Sequence, residues 1–277
     1  MTTHRGHRST SAAMDLYVSP HLDDAVLSCG GRLAAGRRER RSAVVASVFA
    51  APTPRELVTP FARSYHETMG IGNDTFLRRY EDREALRLLA AQPIHLEHLD
   101  CIYRTRPDGL PLVTQEPDIF RIDDVDEHEL VQAVTNDLHE LIITTDARRV
   151  FLPLALGWHR DHVLTRWAAE RSLQRVGQHI DILYFEDVPY VIEAPDDLVG
   201  ATQGMSSETF PLTAAELDLR LEAISRYGSQ QGILWHDGNG LLPAIRDHAS
   251  QIGAGVPMER YWRRVGQQEI GQQEIGQ

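Results

Sequence analysis

Short runs of β-branched and aromatic residues that alternate with helical periodicity constrain this chain more than any other feature. The runs cover residues 15–20 (DLYVSP), 43–49 (AVVASVF), 94–99 (IHLEHL), 150–154 (VFLPL) and 180–185 (IDILYF). Helices are predicted over 24–38, 78–91, 127–146, 160–176 and 213–226. Strands alternating with helices imply an α/β, Rossmann-like three-layer fold, with a mainly parallel sheet covered on both faces. The continuous apolar character of 43–49 fits a central strand of such a sheet. Ligands of open parallel sheets bind outside the carboxyl ends of the strands, and the polar clusters at 21–24 and 157–162 fall there. Residues 51–77 and 101–127, with their prolines and charges, break the alternation. Stretches of that length on a compact scaffold are expected to form a lid over the strand ends. No linker divides the chain. A single domain over 14–264 is expected, with a disordered tail at 1–13 and a low-complexity tail at 265–277 that repeats GQQEI.

The first cluster is HLDD, His21 to Asp24, directly after the first strand. By itself it also fits an ordinary helix start, since aspartate commonly caps a helix. Gly30 and Gly31 inside the following helix cost stability and point to close packing there. The second cluster, WHRDH, opens the 160–176 helix, placing His159 and His162 on one face. This too has a plain reading, as a polar helix start with Asp161 near the positive end of the dipole. Taken together, the clusters bring histidines and a carboxylate from two strand ends that a parallel sheet can juxtapose. Three N/O donors with an open position suit catalytic zinc.

PHLDD followed by GG, with a distal HRDH after an apolar strand, resembles the PIG-L/LmbE family of metal-dependent N-acetylglucosaminyl deacetylases. Further likeness lies in RRYEDREALRLLA at 78–90, YFEDVPY at 184–190 and LEAISRYGSQ at 221–230, so that it spans roughly 15–235. Leu22 stands where the family usually has proline, and Ala25 where it has glutamate. The resemblance implies His21, Asp24 and His162 as metal ligands, with Zn2+ as the metal and Fe2+ as an alternative. It implies Asp23 as the general base acting on water and a cationic His159 as stabiliser of the oxyanion. Asp161, two residues on, is expected to hydrogen-bond His159 and raise its pKa. Arg78, Arg79 or Arg83 is expected to hold substrate hydroxyls, Arg79 being favoured by match to the family helix, with Trp158 and His66 as further substrate contacts and His236 as a weaker candidate. The implied reaction is hydrolysis of an N-acetyl group on an N-acylglucosaminyl compound. The likeness extends to antibiotic-tailoring members acting on glycopeptide pseudoaglycones.

Three other readings remain open at this point: a deacetylase of a thiol-cofactor precursor, a non-haem Fe(II) oxygenase, and a nucleotide-binding module. The last is disfavoured, because the acids after the first strand would repel phosphate. A net charge of −12 argues against tracking nucleic acid. Two cysteines, Cys29 and Cys101, imply no disulfide framework and fit a cytoplasmic setting. No segment reads as a membrane span or as a secretory signal. A small amino-sugar glycoside is therefore the expected partner. Oligomeric state is not legible.

Overall fold

The computed structural model describes residues 13–68, 75–122, 127–177, 179–230 and 240–266. The expected terminal tails, apart from Ala13, Val265 and Gly266, lie outside these residues, as does His236.

Strand β1 (Met14–Ser19) lies in the interior of a seven-stranded sheet. Beside it run β2 (Ser42–Ser47), then β3 (Ala91–His95) on one side, and β4 (Arg149–Pro153), then β5 (Asp181–Phe185) on the other. These five strands are parallel. Two antiparallel strands, β6 (Met205–Pro211) and β7 (Met258–Arg264), extend the β5 edge, with β7 against β5. The order β3-β2-β1-β4-β5 is the expected Rossmann-like core.

Central strands are apolar because both faces are covered. In register across β1 and β4, Tyr17 faces Phe151, and their rings stack at 4.1 Å. Helices α1 (Asp24–Glu39), α3 (Thr75–Leu88) and α8 (Ala214–Ile224) pack together, and so do α4 (His128–Thr144) and α5 (Arg160–Gln174). Helix α9 (Leu241–Ile252) packs on β7 and α8. The paired glycines of α1 have the expected packing cause. A Cβ on Gly30 would lie 2.6 Å from the Arg220 side chain of α8, and one on Gly31 would lie 2.5 Å from Leu212. Arg220 donates to the Leu27 carbonyl, and Glu259 of β7 accepts from the backbone of Gly31 and Arg32 at 2.8 and 2.9 Å. The buried Arg220–Glu259 pair thus bonds backbone groups of α1 at the point of closest approach.

Some expectations shift. The third strand runs from 91 to 95 rather than 94 to 99, because an edge strand accommodates Pro93. The first interruption is not all loop: α2 (Pro60–Thr68) and the start of α3 lie within it. That helix packs with Cys101–Tyr103, and Ala62, Ile102, Tyr103, Leu112, Val113 and Ile119 form a small core separate from the main one. The two interruptions thus make one lid.

Candidate metal centre and catalytic cleft

The carboxyl end of β1 turns through His21 into α1, and its capping is unusual. Asp23 occupies the N-cap position, yet its side chain caps nothing. Ser19 Oγ accepts from the Ala25 backbone N–H at 3.0 Å instead, while Asp24 Oδ2 accepts from His21 N–H at 2.8 Å. Both aspartates are thereby released from the job that would have explained them. From β4, a short turn at Leu156–Trp158 delivers His159 and then His162 at the start of α5. Gly157 in that turn has φ +73°, and a Cβ there would meet the Tyr190 ring at 2.3 Å.

Across this gap the donor atoms of His21, Asp24 and His162 all lie within 4.8 Å of one another. Asp24 Oδ2 is 3.2 Å from His21 Nδ1 and 3.4 Å from His162 Nε2. The remaining ring nitrogens are clamped. His21 Nε2 meets Asp161 Oδ2 at 3.1 Å, and His162 Nδ1 meets Asp187 Oδ1 at 2.7 Å. Asp187 is fixed in turn by the Leu156 N–H at 3.0 Å. A carboxylate behind each imidazole is the usual support for a metal-binding ring.

Electrostatics favour a cation here. Burial opposes charge on His21, yet its contacts with Asp161 and Asp24 lift the ring well above the usual histidine range. For His162 burial is likewise outweighed, by Asp24 and Asp187. Asp24 behaves in mirror image: burial would raise it, but His162 and His21 hold it well below the carboxylate range. Asp23 is pushed up to about 6, first by burial and then by Asp24. Two neighbouring acids therefore differ sharply, one a fixed anion and the other able to carry a proton near neutrality.

Several expected contacts are corrected. The Asp161 carboxylate does not bond His159; it accepts from His21, from the Cys101 N–H at 3.0 Å and from Arg104. Only the Asp161 backbone N–H reaches His159, donating to Nδ1 at 3.2 Å. Nor is His159 cationic: burial, then His21 and His162, hold it well below the usual range. With Nδ1 accepting, the neutral ring carries its proton on Nε2. Arg79 turns away, donating to Ala50 O at 2.7 Å and Glu97 at 2.9 Å. Its neighbour Arg78 lines the cleft, beside Asp23, with a buried Nε that has no hydrogen-bond partner among the described residues. One helical residue is a rotation of about 100°, enough to swap these roles. Trp158 is 61% exposed and lines a different groove with Leu154 and Arg166. His66 stands one layer back, bonded to the Tyr103 hydroxyl at 2.7 Å.

The cleft has a volume of about 130 Å3. Its floor is His21, Asp23, Asp24, His159 and His162; its walls include Tyr65, Tyr103, Ile119 and Phe120 from the lid and Tyr190 beyond β5. Asp187, Arg104 and Phe120 were missed by sequence reasoning. Asp187 had a signal, because YFEDVPY places an acid just past a strand end; the other two had none beyond their residue type.

Comparison with known proteins places this geometry. Over 189 residues, 63% of this chain and 66% of the relative, the chain is 28% identical to 2'-N-acetylparomamine deacetylase of Niallia circulans. The matched stretch thus spans just under two thirds of that relative's length. Among solved structures, the zinc-inhibited form of a teicoplanin deacetylase is 31% identical with a TM-score of 0.80, over 90% of this chain and 97% of that one. An antimicrobial pseudoaglycone deacetylase is 28% identical with a TM-score of 0.74, over 91% and 97%. The family model described as PIG-L, GlcNAc-PI de-N-acetylase, matches residues 16–173, which include both histidine clusters and the lid between them. The chain belongs to the PIG-L family.

Proposed function

We propose that this protein is a zinc-dependent amide hydrolase that removes the acetyl group from an N-acetylglucosaminyl unit of an antibiotic glycoside. The observation that carries the reading is the convergence of His21 Nδ1, Asp24 Oδ2 and His162 Nε2 beside a free carboxylate and a neutral imidazole. Two nitrogens and an oxygen, each braced, fit zinc with an open position; Fe2+ accepts the same donors.

A divalent ion held there supplies Lewis acidity that makes water nucleophilic near neutral pH. The protein's own groups do the rest. Asp23, raised toward neutrality, takes a proton from the attacking water. It then returns that proton to the sugar nitrogen as the C–N bond breaks, leaving acetate and the free amine. The His159 Nε2–H, in the cleft floor, donates to the oxygen that gains negative charge in the transition state. Arg78, with an unpaired donor at the cleft, binds a sugar hydroxyl. Asp161 positions His21 rather than His159.

Likeness to the two glycopeptide-tailoring structures covers nearly all of both chains and supports a glycopeptide aglycone over a thiol-cofactor precursor. The parallel sheet supports hydrolysis over an Fe(II) oxygenase. Among the described residues no helix is long and apolar enough to cross a membrane. Acetate release should be followed on free N-acetylglucosamine, on an N-acetylglucosaminyl glycopeptide and on an N-acetylglucosaminyl inositol. Preference for the glycopeptide is expected. Release only from the inositol compound would reverse the substrate assignment, and release from none would remove the activity.

A further inference from the structure

The lid core contains Cys101, Ile102, Tyr103, Leu112 and Val113 and, among the described residues, shares no apolar cluster with the main core. A polar joint ties this part of the lid to the α5 start and the metal-bearing edge. The Asp161 carboxylate, fully buried, receives three donors at once: Nε2 of His21, the Cys101 backbone N–H and the Arg104 guanidinium. Arg104 also pairs with Glu127 at 3.0 Å and lies over the Phe49 ring at 4.9 Å. Glu127 in turn holds Arg160 at 2.7 Å. One carboxylate thus orients a candidate metal ligand with one oxygen and carries the lid with both.

We propose that Asp161 and Arg104 are positioning residues that couple lid order to metal affinity. Docking of Cys101 and Arg104 fixes the Asp161 carboxylate, which fixes the His21 ring with Nδ1 toward Asp24. Conversely, a metal on Nδ1 holds that ring still and strengthens the lid's anchor. Linkage requires the two effects to be equal in free energy. This inference rests on His21 being a metal ligand.

The test uses the full chain and Zn2+ alone. Hydrogen exchange of amides 101–113 is compared without and with saturating Zn2+, and Zn2+ affinity is measured by competition with a chromophoric chelator. In the unaltered chain Zn2+ is expected to slow exchange across 101–113. Arg104→Gln should weaken Zn2+ binding roughly ten-fold, as loss of outer support for a metal ligand does, and should abolish the slowing. Arg104→Lys, which keeps the charge, should recover part of both. Val113→Ala, in the lid core and away from the cleft lining, should weaken Zn2+ binding a few-fold while exchange in β1 and β4 stays the same. It also settles the matter if Arg104→Gln does not fold. Exchange indifferent to Zn2+ in a chain that binds it, or Val113→Ala and Arg104→Lys binding Zn2+ like the unaltered chain alongside an unimpaired Arg104→Gln, would overturn the coupling. A chain that binds no Zn2+ at all would overturn the metal reading and the coupling with it.

Discussion

At the carboxyl ends of β1 and β4 each ring of the candidate metal site is clamped by a buried carboxylate, Asp161 behind His21 and Asp187 behind His162. Across the cleft the lid offers rings instead. Phe120, 40% exposed, sits edge-on to His159 at 5.9 Å between centroids, and Tyr65 and Tyr103 stand beside it. The first region is over-determined: each donor has a partner, and each partner is held again. The second is a surface whose members have few fixed polar partners and can differ in size without disturbing a donor. The difference assigns chemistry to the sheet edge and substrate choice to the lid. Sites built on regular elements hold geometry, while connecting segments carry specificity.

Breaking the sheet-edge side should have the largest effects. His162→Ala removes one donor and leaves Asp187 with only the Leu156 N–H among the described residues. Zinc content of the purified protein should fall to background, and turnover with it. Asp23→Asn is next: zinc stoichiometry is kept, while kcat falls roughly 10²- to 10⁴-fold, the range of a lost general base. The pH profile adds a check on the same residue. Asp23 must be ionised to accept a proton; burial and Asp24 raise it to about 6 in the metal-free site and a bound cation lowers it, so kcat/KM of the zinc-loaded enzyme should drop at a pH below about 6. The stability sign is opposite. A carboxyl raised in the fold favours its protonated form, and that contribution is lost as pH rises through about 6. Metal-free Asp23→Asn should therefore melt higher than the unaltered protein at pH 8, with the gap closing toward pH 4. Asp187→Asn, which keeps the shape but not the charge, should weaken zinc binding roughly 10- to 100-fold.

The lid side should answer more softly. Phe120→Ala should raise KM about five-fold for a glycopeptide substrate with little change in kcat, matching about 1 kcal/mol for a lost aromatic contact. An equal loss of kcat would show that this ring acts on His159 rather than on substrate, and would blur the division.

The same division governs how much could be read from sequence. The parallel core was legible because its strands are apolar on both faces. Strands β6 and β7, MSSETFP and MERYWRR, lie outside the parallel core and carry polar or charged residues at most positions, so no apolar run marked them. The two histidine clusters were legible because both lie at strand ends, where residue type and topology agree. Arg79 was favoured over Arg78 because a motif does not fix helical phase. Asp161 was misassigned to His159 because proximity in sequence outranked the lid, whose Cys101 and Arg104 claim that carboxylate from about sixty residues away. Three-dimensional competition for a single acid leaves no local mark.

The central claim is the identity of the three donors, and anomalous diffraction at the zinc edge from crystals soaked in Zn2+ tests it most directly. The account predicts one strong peak per chain, bonded at about 2.0–2.2 Å to His21 Nδ1, an Asp24 oxygen and His162 Nε2. A peak held by His159 and Asp161, or none within the cleft, would contradict it.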